Sequence, residues 1–554
     1  VRQEGLQTLI AAIGYAALTF LMALPFSASP GRLVVADAPD THLYIWMLAW
    51  DVHAFVHQPL RIFDANIYYP YSNTLAYSEN LIGTAFLAAP VIWLTGNTVL
   101  AMNMAAMATC VLCGLGAYVL ARRLELRPGA AFVCGLVFAF APPRFFKLGQ
   151  LHMTSVQWMP FALAYLHRYL ADGRRADLHK TVGFFSLQAL SSGHGAVFLT
   201  IAAALLALWR VAFGQPVLLA QRLRDFGVAG AYLAAPAIWV WLPYQLAQSE
   251  AGLRRELDLE TQPGLASFLA SPARVHLYLR EQIVGTSTND SAIAFLFPGI
   301  LLMLLVVAAW IPGRGRGIAV KPLVSNWTAF YTLLAVVSAA LFVQWPIDLW
   351  RLVYWWPGLN FIRAPARFMI LTLLALAVLA GIGCARITER LTPRRQRVVT
   401  ALVGALLLVE YNSYPFVGVP FTHDIPAVDR WLETRPKPFV VAEVPVPPTA
   451  NLGALERQQT AAMLHAASHW QKTIHGYSGI RRPLHDRLYR DLHTFPDAQS
   501  IASLHATGVT YVVVHTDQYP ADDWPSVEAR LREATDLRLE HSDGTGRVYS
   551  VVAK

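Results

Sequence analysis

The side chains able to do chemistry fall into two sets of opposite charge. The acidic set, Asp37, Asp40, Asp51, Asp64 and Glu79, lies in one polar stretch, 27–80. Asp37 and Asp40 stand in Ala36-Asp37-Ala38-Pro39-Asp40-Thr41-His42, shortly after the apolar run Leu6 to Phe26. A carboxylate in such a place can take the proton of an attacking hydroxyl. Asp40 or Thr41 could equally cap a following helix, and Asp51, in mid-helix, is expected on a solvated polar face. In the basic set, Arg144 and Lys147 follow Pro142-Pro143, with His152 further on, while Arg363 and Arg367 lie one helical turn apart. Either pair could hold a phosphate, which a guanidinium grips in a two-pronged fork. Basic residues at span ends also reach toward lipid headgroups.

Other chemistries lack support. His194, between two glycines, is a lone imidazole. His465 and His469 are four residues apart, but no acidic HExxH pattern accompanies them, and His475 and His485 are scattered, so no metal site is expected. Trp470, Tyr477 and the glycines around Ser478 could stack a sugar, although core aromatics explain them as well. Cys110, Cys113, Cys134 and Cys384 each sit inside an apolar run, where small packing residues are expected. No Walker loop, GxSxG elbow or GxGxxG fingerprint occurs in a strand–helix context, which argues against ATP-driven transport and nucleotide-sugar chemistry.

The elements that must position these residues belong to a membrane protein. Of 554 residues, 55% are hydrophobic and 14% charged, against about a quarter charged in soluble domains. The net charge of +9 comes as short clusters between apolar runs. That is the positive-inside pattern, not a nucleic-acid footprint. After the first run, others lie near 97–121, 129–146, 151–171, 178–193, 195–213, 226–246, 292–311, 326–343, 367–385 and 398–416, giving about eleven spans across about 30 Å of hydrocarbon. Reading Leu81 to Leu94 as a shallow interfacial helix puts Arg122/Arg123/Arg127, Arg174/Arg175/Lys180, Arg222/Arg224, Arg314/Arg316/Lys321 and the 386–397 cluster on the cytoplasmic side. The N-terminus is then inside and the C-terminus outside. Arg144, Lys147, Arg363 and Arg367 emerge on the outer side, against the trend.

Polar loops concentrate outside, at 27–80, 247–291 and 344–366. In the first, His42 to His57 places Leu43, Trp46, Met47 and Trp50 on one face, as an interfacial helix requires. The fold class expected is mainly α: a transmembrane helical bundle over 1–420, followed by a small extracytoplasmic α/β domain over 421–554. In that tail, 439–444 and 509–514 are expected strands, Trp524 to Ala534 a helix, and Asp543-Gly544 the turn of a closing hairpin.

These features resemble the GT-C membrane glycosyltransferases. The resemblance rests on Asp37 after span one with Tyr44 following, Glu79-Asn80 before the shallow run, and the long span ending Tyr118-Val119-Leu120-Ala121-Arg122-Arg123. The segments Asn360 to Phe368 and His475-Gly476-Tyr477-Ser478-Gly479 are similar to elements of bacterial YfhO-like relatives. An Asp-Glu pair directly after span one is missing, since Ala follows Asp37. The resemblance implies sugar transfer from a polyprenyl-phosphate donor to a lipid or glycan acceptor of the cell envelope, at the outer face of a bacterial inner membrane. Asp37, then Asp40, would be the base, and Glu79 would orient the acceptor or a divalent cation. Arg144, Lys147, Arg363 and Arg367 would hold the phosphate, with His152 beside them. The competing reading is a lipid or polysaccharide translocator or a glycan-binding assembly protein. Its main support is one charge inside a span, Glu410.

Overall fold

The structure, a computed structural model, describes residues 2–213, 217–251, 262–284, 294–312, 326–344, 346–356, 359–360, 362–422 and 424–552. The expected cluster Arg314/Arg316/Lys321, Phe361, and parts of the 247–291 and 344–366 loops lie outside them. The chain divides into two compact units. The first comprises Val1–Pro30, Asn103–Val240 and Arg254–Gly418; the second comprises Gly31–Met102, Trp241–Leu253 and Val419–Lys554.

In the first unit the apolar runs form helices, several opened by a proline at the first position, as in Pro128–Phe140 and Pro393–Glu410. Among the described residues of the whole chain, four helices are long and apolar enough to cross a membrane: Gln3–Met22, Thr98–Arg123, Gly193–Phe213 and Pro365–Thr388. Ile82–Thr95, Pro128–Phe140 and Trp327–Ala340 are apolar but shorter. This is a membrane protein.

The hub of the first unit is Met369–Thr388, buried at every residue from Met369 to Cys384. Pro128–Phe140, Ile300–Ala308 and Trp327–Ala340 pack around it. Small residues permit this closeness, since a Cβ on Gly383 would come within 1.9 Å of the Leu305 carbonyl oxygen. The four cysteines are buried free thiols. Glu410 is also structural. It accepts from the backbone N–H groups of Ile300 and Leu301 at the start of one helix, and its Oε1 lies 2.9 Å from His276 Nε2. An anion at a helix N-terminus is electrostatically at home, so Glu410 lends no weight to a translocation path.

The second unit is built on a five-stranded sheet of order β4-β3-β5-β7-β6, with β3 (Val440–Val444), β4 (Lys472–Thr473), β5 (Tyr511–His515), β6 (Leu537–Ser542) and β7 (Gly546–Val551). β3 runs parallel to β4 and β5, and β7 antiparallel to β5 and β6. Apolar residues occupy both faces, as a doubly covered sheet requires. Val440, Ala442, Val444, Val512 and Val514 pack with Leu455, Leu488, Leu504 and Val527. Phe439, Val441, Val513 and Val548 pack with Val428 and Leu432 of the helix Ala427–Glu433. A short antiparallel pair, β1 (Leu33–Val34) with β2 (Val419–Pro420), completes the unit's strands among the described residues.

Residues of the first polar stretch belong to this unit. The helix Pro39–His57 packs against both Ile82–Thr95 and Leu452–His465. With neighbours on two sides it buries Ile45, Leu48 and Val52 as well as Trp46 and Trp50. This corrects the expectation of a single apolar face, and that of a solvated Asp51, whose side chain is 0% exposed. Further along, 66–69 line the edge of β4: Thr473 N–H donates to Asn66 O at 2.8 Å, and Tyr69 N–H to Thr473 O at 3.0 Å. Gly476 lets the Tyr68 ring lie on the backbone, where a Cβ would meet that ring at 2.5 Å.

His485 is fully buried among Tyr68, Tyr71 and Tyr489, 3.1 Å from the Tyr69 carbonyl oxygen. Burial, aided by the charges of His475 and Arg482, pushes its imidazole down to about 4 despite that hydrogen bond. The folded state thus holds it neutral while the unfolded chain protonates near 6.5. Its contribution is complete above about pH 6.5 and is lost as pH falls toward 4, on the order of 3 kcal/mol in all. Thermal melting of His485→Gln should therefore lose less stability than wild type between pH 7 and 4; parallel losses would refute this assignment.

Candidate functional site

The second unit holds the acidic candidates. The helix Pro39–His57 begins with Ala38 at its N-cap and Pro39 at the first helical position, so neither Asp40 nor Thr41 caps it. Thr41 Oγ1 instead donates to the Ala36 carbonyl at 2.7 Å. Asp37, immediately before this helix, is exposed, and its Oδ1 lies 2.8 Å from Nε2 of His42. Nδ1 of the same ring lies 3.1 Å from Thr460 Oγ1. Asp40, also exposed, accepts a hydrogen bond of 2.9 Å from the Tyr477 hydroxyl. Two solvent-facing carboxylates, each oriented by a side chain, thus sit at the start of one helix. Such a group can accept a proton from a hydroxyl without leaving its place.

Glu79 stands in a different set of contacts. It is half-buried beside Asn80 and in electrostatic contact with Tyr244. Asn80 Nδ2 donates to Tyr244 Oη at 3.2 Å, and Tyr244 Oη donates to the Ser78 carbonyl at 2.9 Å.

The first unit holds the basic candidates, and it separates them. Arg144 is 0% exposed. Its guanidinium donates to the carbonyls of Ala139 at 3.0 Å and Thr154 at 3.1 Å, to Thr109 Oγ1 at 3.3 Å, and to Cys110 Sγ at 3.3 Å. As placed, it ties the Thr98–Arg123 helix to the turns around 139–154. Lys147, Arg367, His194 and His152 form a second group. Arg367 donates to His194 Nε2, and the His194 and His152 rings are 6.1 Å apart. Lys147 is half-buried, and burial together with the nearby Arg367 charge pushes its ammonium down to about 8. Two cations brought together with little water lower their mutual energy by sharing an anion. Arg363 is exposed on the segment leading to Arg367.

His42 and His194 are the participants not placed in the site from sequence. The signal for His42 was its position five residues after Asp37 across a Pro39 helix start. His194 gave none, because its partner is 173 residues away. Trp470 stacks on His53, with ring centroids 4.3 Å apart, and lies 6.0 Å from Trp50, as a core aromatic would. Among the described residues, Glu443, His465 and His515 are a set whose side-chain donors are close enough to share a metal ion.

No protein-family model matches the chain, and no curated protein matches it in sequence. Among solved structures it is similar to the arabinofuranosyltransferase AftD from Mycobacteria, with a TM-score of 0.56 and 16% identity over 99% of this chain and 41% of that one. It also matches the archaeal oligosaccharyltransferase AglB from Archaeoglobus fulgidus, in complex with an inhibitory peptide and a dolichol-phosphate, at TM-score 0.46 and 15% identity over 98% of this chain and 74% of that one. ArnT from Cupriavidus metallidurans bound to undecaprenyl phosphate matches at TM-score 0.39 and 13% identity, over 98% of each chain. The likeness to AftD is one of fold, and the chain spans less than half of that transferase's length.

Arg144→Met strands buried acceptors and should cost roughly 2–4 kcal/mol, seen as a marked drop in melting temperature in detergent. Lys147→Met should melt close to wild type. Equal melting of both variants would refute the distinction.

Proposed function

We propose that the chain is a membrane glycosyltransferase that moves a sugar from a polyprenyl-phosphate donor to a cell-envelope acceptor. The reaction takes place at the outer face of a bacterial inner membrane, on a bundle of about eleven spans with the tail outside, in a relative of the YfhO-like GT-C proteins. The observation that carries this reading is the exposed pair Asp37 and Asp40, each held by a side-chain hydrogen bond, from His42 and Tyr477. The GT-C-like fold is consistent with it.

The residues divide the work by charge. Asp37, with Asp40 as the second candidate, takes the proton of the acceptor hydroxyl as its oxygen attacks the anomeric carbon. The bond from that carbon to the phosphate oxygen breaks, and the electron pair leaves with the polyprenyl phosphate. A phosphate leaving group needs counter-charge more than a strong acid. Lys147 and Arg367, with Arg363 and His152, supply it, while Arg144 holds the surrounding turns. Glu79, beside Asn80 and Tyr244, orients the acceptor or a divalent cation.

The test is sugar transfer by purified protein in lipid nanodiscs, using a panel of polyprenyl-phosphate sugars and envelope acceptors. One of Asp37→Asn and Asp40→Asn should slow transfer by roughly 100-fold or more, and the double variant should abolish it while melting like wild type. Transfer at the wild-type rate by the double variant would end this mechanism.

A further inference from the structure

The carboxyl ends of the parallel strands β3 and β5 carry polar side chains that the transfer chemistry does not use. In the register of this pair Glu443 lies opposite Val513 and Val444 opposite Val514, so His515 ends β5 one position further on. Strand alternation puts Glu443 on the side of Phe439 and Val441, and His515 on that of Val513. That is the face covered by the helix Ala427–Glu433. A third side chain, His465, is the last residue of the helix Leu452–His465. Nδ1 of His465 and Nε2 of His515 each lie 2.8 Å from the same oxygen, Glu443 Oε2, and the three donor atoms are all within 4.8 Å of one another.

A fourth group faces them from the covering helix. Asp429 is 0% exposed, and neither of its carboxyl oxygens has a hydrogen-bond partner among the described residues. Its carboxyl is in electrostatic contact with Glu443, His465 and His515. Glu443, His465 and His515 are themselves 2%, 9% and 5% exposed. Glu443 has the imidazoles of His465 and His515 on one oxygen, whereas a buried carboxylate left without a partner, as Asp429 is, is costly unless something of opposite charge joins it.

We propose that Glu443, His465, His515 and Asp429 form a closed binding site for a divalent first-row transition-metal ion of the zinc type. The charges balance: two carboxylates and two neutral imidazoles around a doubly charged cation leave no net charge in the interior. The donor set matches as well. Imidazole nitrogens favour zinc and its neighbours, whereas magnesium and calcium take oxygen ligands. A tetrahedron with bonds of about 2.0 Å has edges of about 3.3 Å, a little more than the 2.8 Å from Glu443 Oε2 to each imidazole nitrogen and inside the 4.8 Å that encloses the three donor atoms. Three protein donors already brought together, a buried and unpartnered Asp429 facing them as the fourth, and full enclosure suit a structural site rather than a catalytic one. The ion joins the covering helix, two strand ends and the helix before β4. Around it, the Glu443 N–H donates to His475 Nε2 at 2.7 Å, and His475 Nδ1 is 3.0 Å from Gln459 Oε1, which fixes the ligand strand. His469, which sequence spacing paired with His465, is engaged elsewhere, its Nδ1 accepting from the Gln471 N–H at 3.0 Å.

This site is independent of the glycosyl-transfer reading and is tested without any activity assay. The full chain, purified in detergent and loaded with zinc, is desalted and its metal content measured by mass spectrometry. About one zinc per chain is expected. Chelation should lower the melting temperature, zinc should restore it, and magnesium should not. Cobalt in place of zinc should give the visible absorption of a four-coordinate centre. Glu443→Gln and Asp429→Asn should each weaken zinc binding at least 10-fold. A chain that retains no zinc after loading and melts identically with and without chelator overturns the proposal, as does undiminished zinc in a Glu443→Gln/His515→Gln double variant. Should the variants fail to fold, the wild-type measurements decide alone.

Discussion

An edge strand with unpaired backbone groups must find a partner, and in the second unit that partner is the first polar stretch. β4 is the outermost strand of the sheet, and its free side bonds to residues 66–69. Lys472, on β4, reinforces the join, with Nζ 3.0 Å from Asp64 Oδ1 and 2.9 Å from the Ala65 carbonyl. The helix Pro39–His57 is buried against Leu452–His465 as part of the same packing. Everything proposed for Asp37 and Asp40 depends on it. Their orienting contacts, His42 with Thr460 and Tyr477 with Asp40, exist only because residues more than 400 positions apart share one unit. An isolated loop would leave both carboxylates free to sample many directions, whereas a packed helix start gives them one.

How much of this is visible in the sequence depends on the range over which each signal acts. The runs at 97–121, 195–213 and 367–385 emerged as helices close to their expected bounds, Thr98–Arg123, Gly193–Phe213 and Met369–Thr388, because length and composition are local properties, whereas 151–171 is helical mainly over Met159–Asp172 and 292–311 over Ile300–Ala308. Val440–Val444, Tyr511–His515 and the hairpin around Asp543-Gly544 followed from local pattern in the same way. Burial is not local. Asp51 looked solvated because helical periodicity reports one apolar face and cannot count the neighbours on the other. Arg144 and Lys147, three residues apart and chemically alike in sequence, part company once folded. One is enclosed by carbonyls from two turns, and the other joins Arg367 and His194.

The cluster at the ends of β3 and β5 teaches the same lesson in another form. Spacing rules search for donors a few residues apart, and they found only His465 and His469. The donors that come together, Glu443, His465 and His515, belong to two strands and a helix. One clue was present: Glu443 is a lone charge in an otherwise apolar strand, and a buried charge always implies a partner.

In the proposed reaction the second unit supplies the carboxylates and the first unit the cations. The central claim is that a lipid-linked phosphate is what the Lys147–Arg367 group exists to hold, and its most direct test is equilibrium binding of a polyprenyl phosphate to the purified chain in nanodiscs. Lys147→Met and Arg367→Met should each weaken binding by about 10-fold or more, with a neutral polyprenol bound poorly by all three proteins. Equal affinity of wild type and both variants for the phosphate, or equal affinity of the wild type for phosphate and alcohol, would contradict the account.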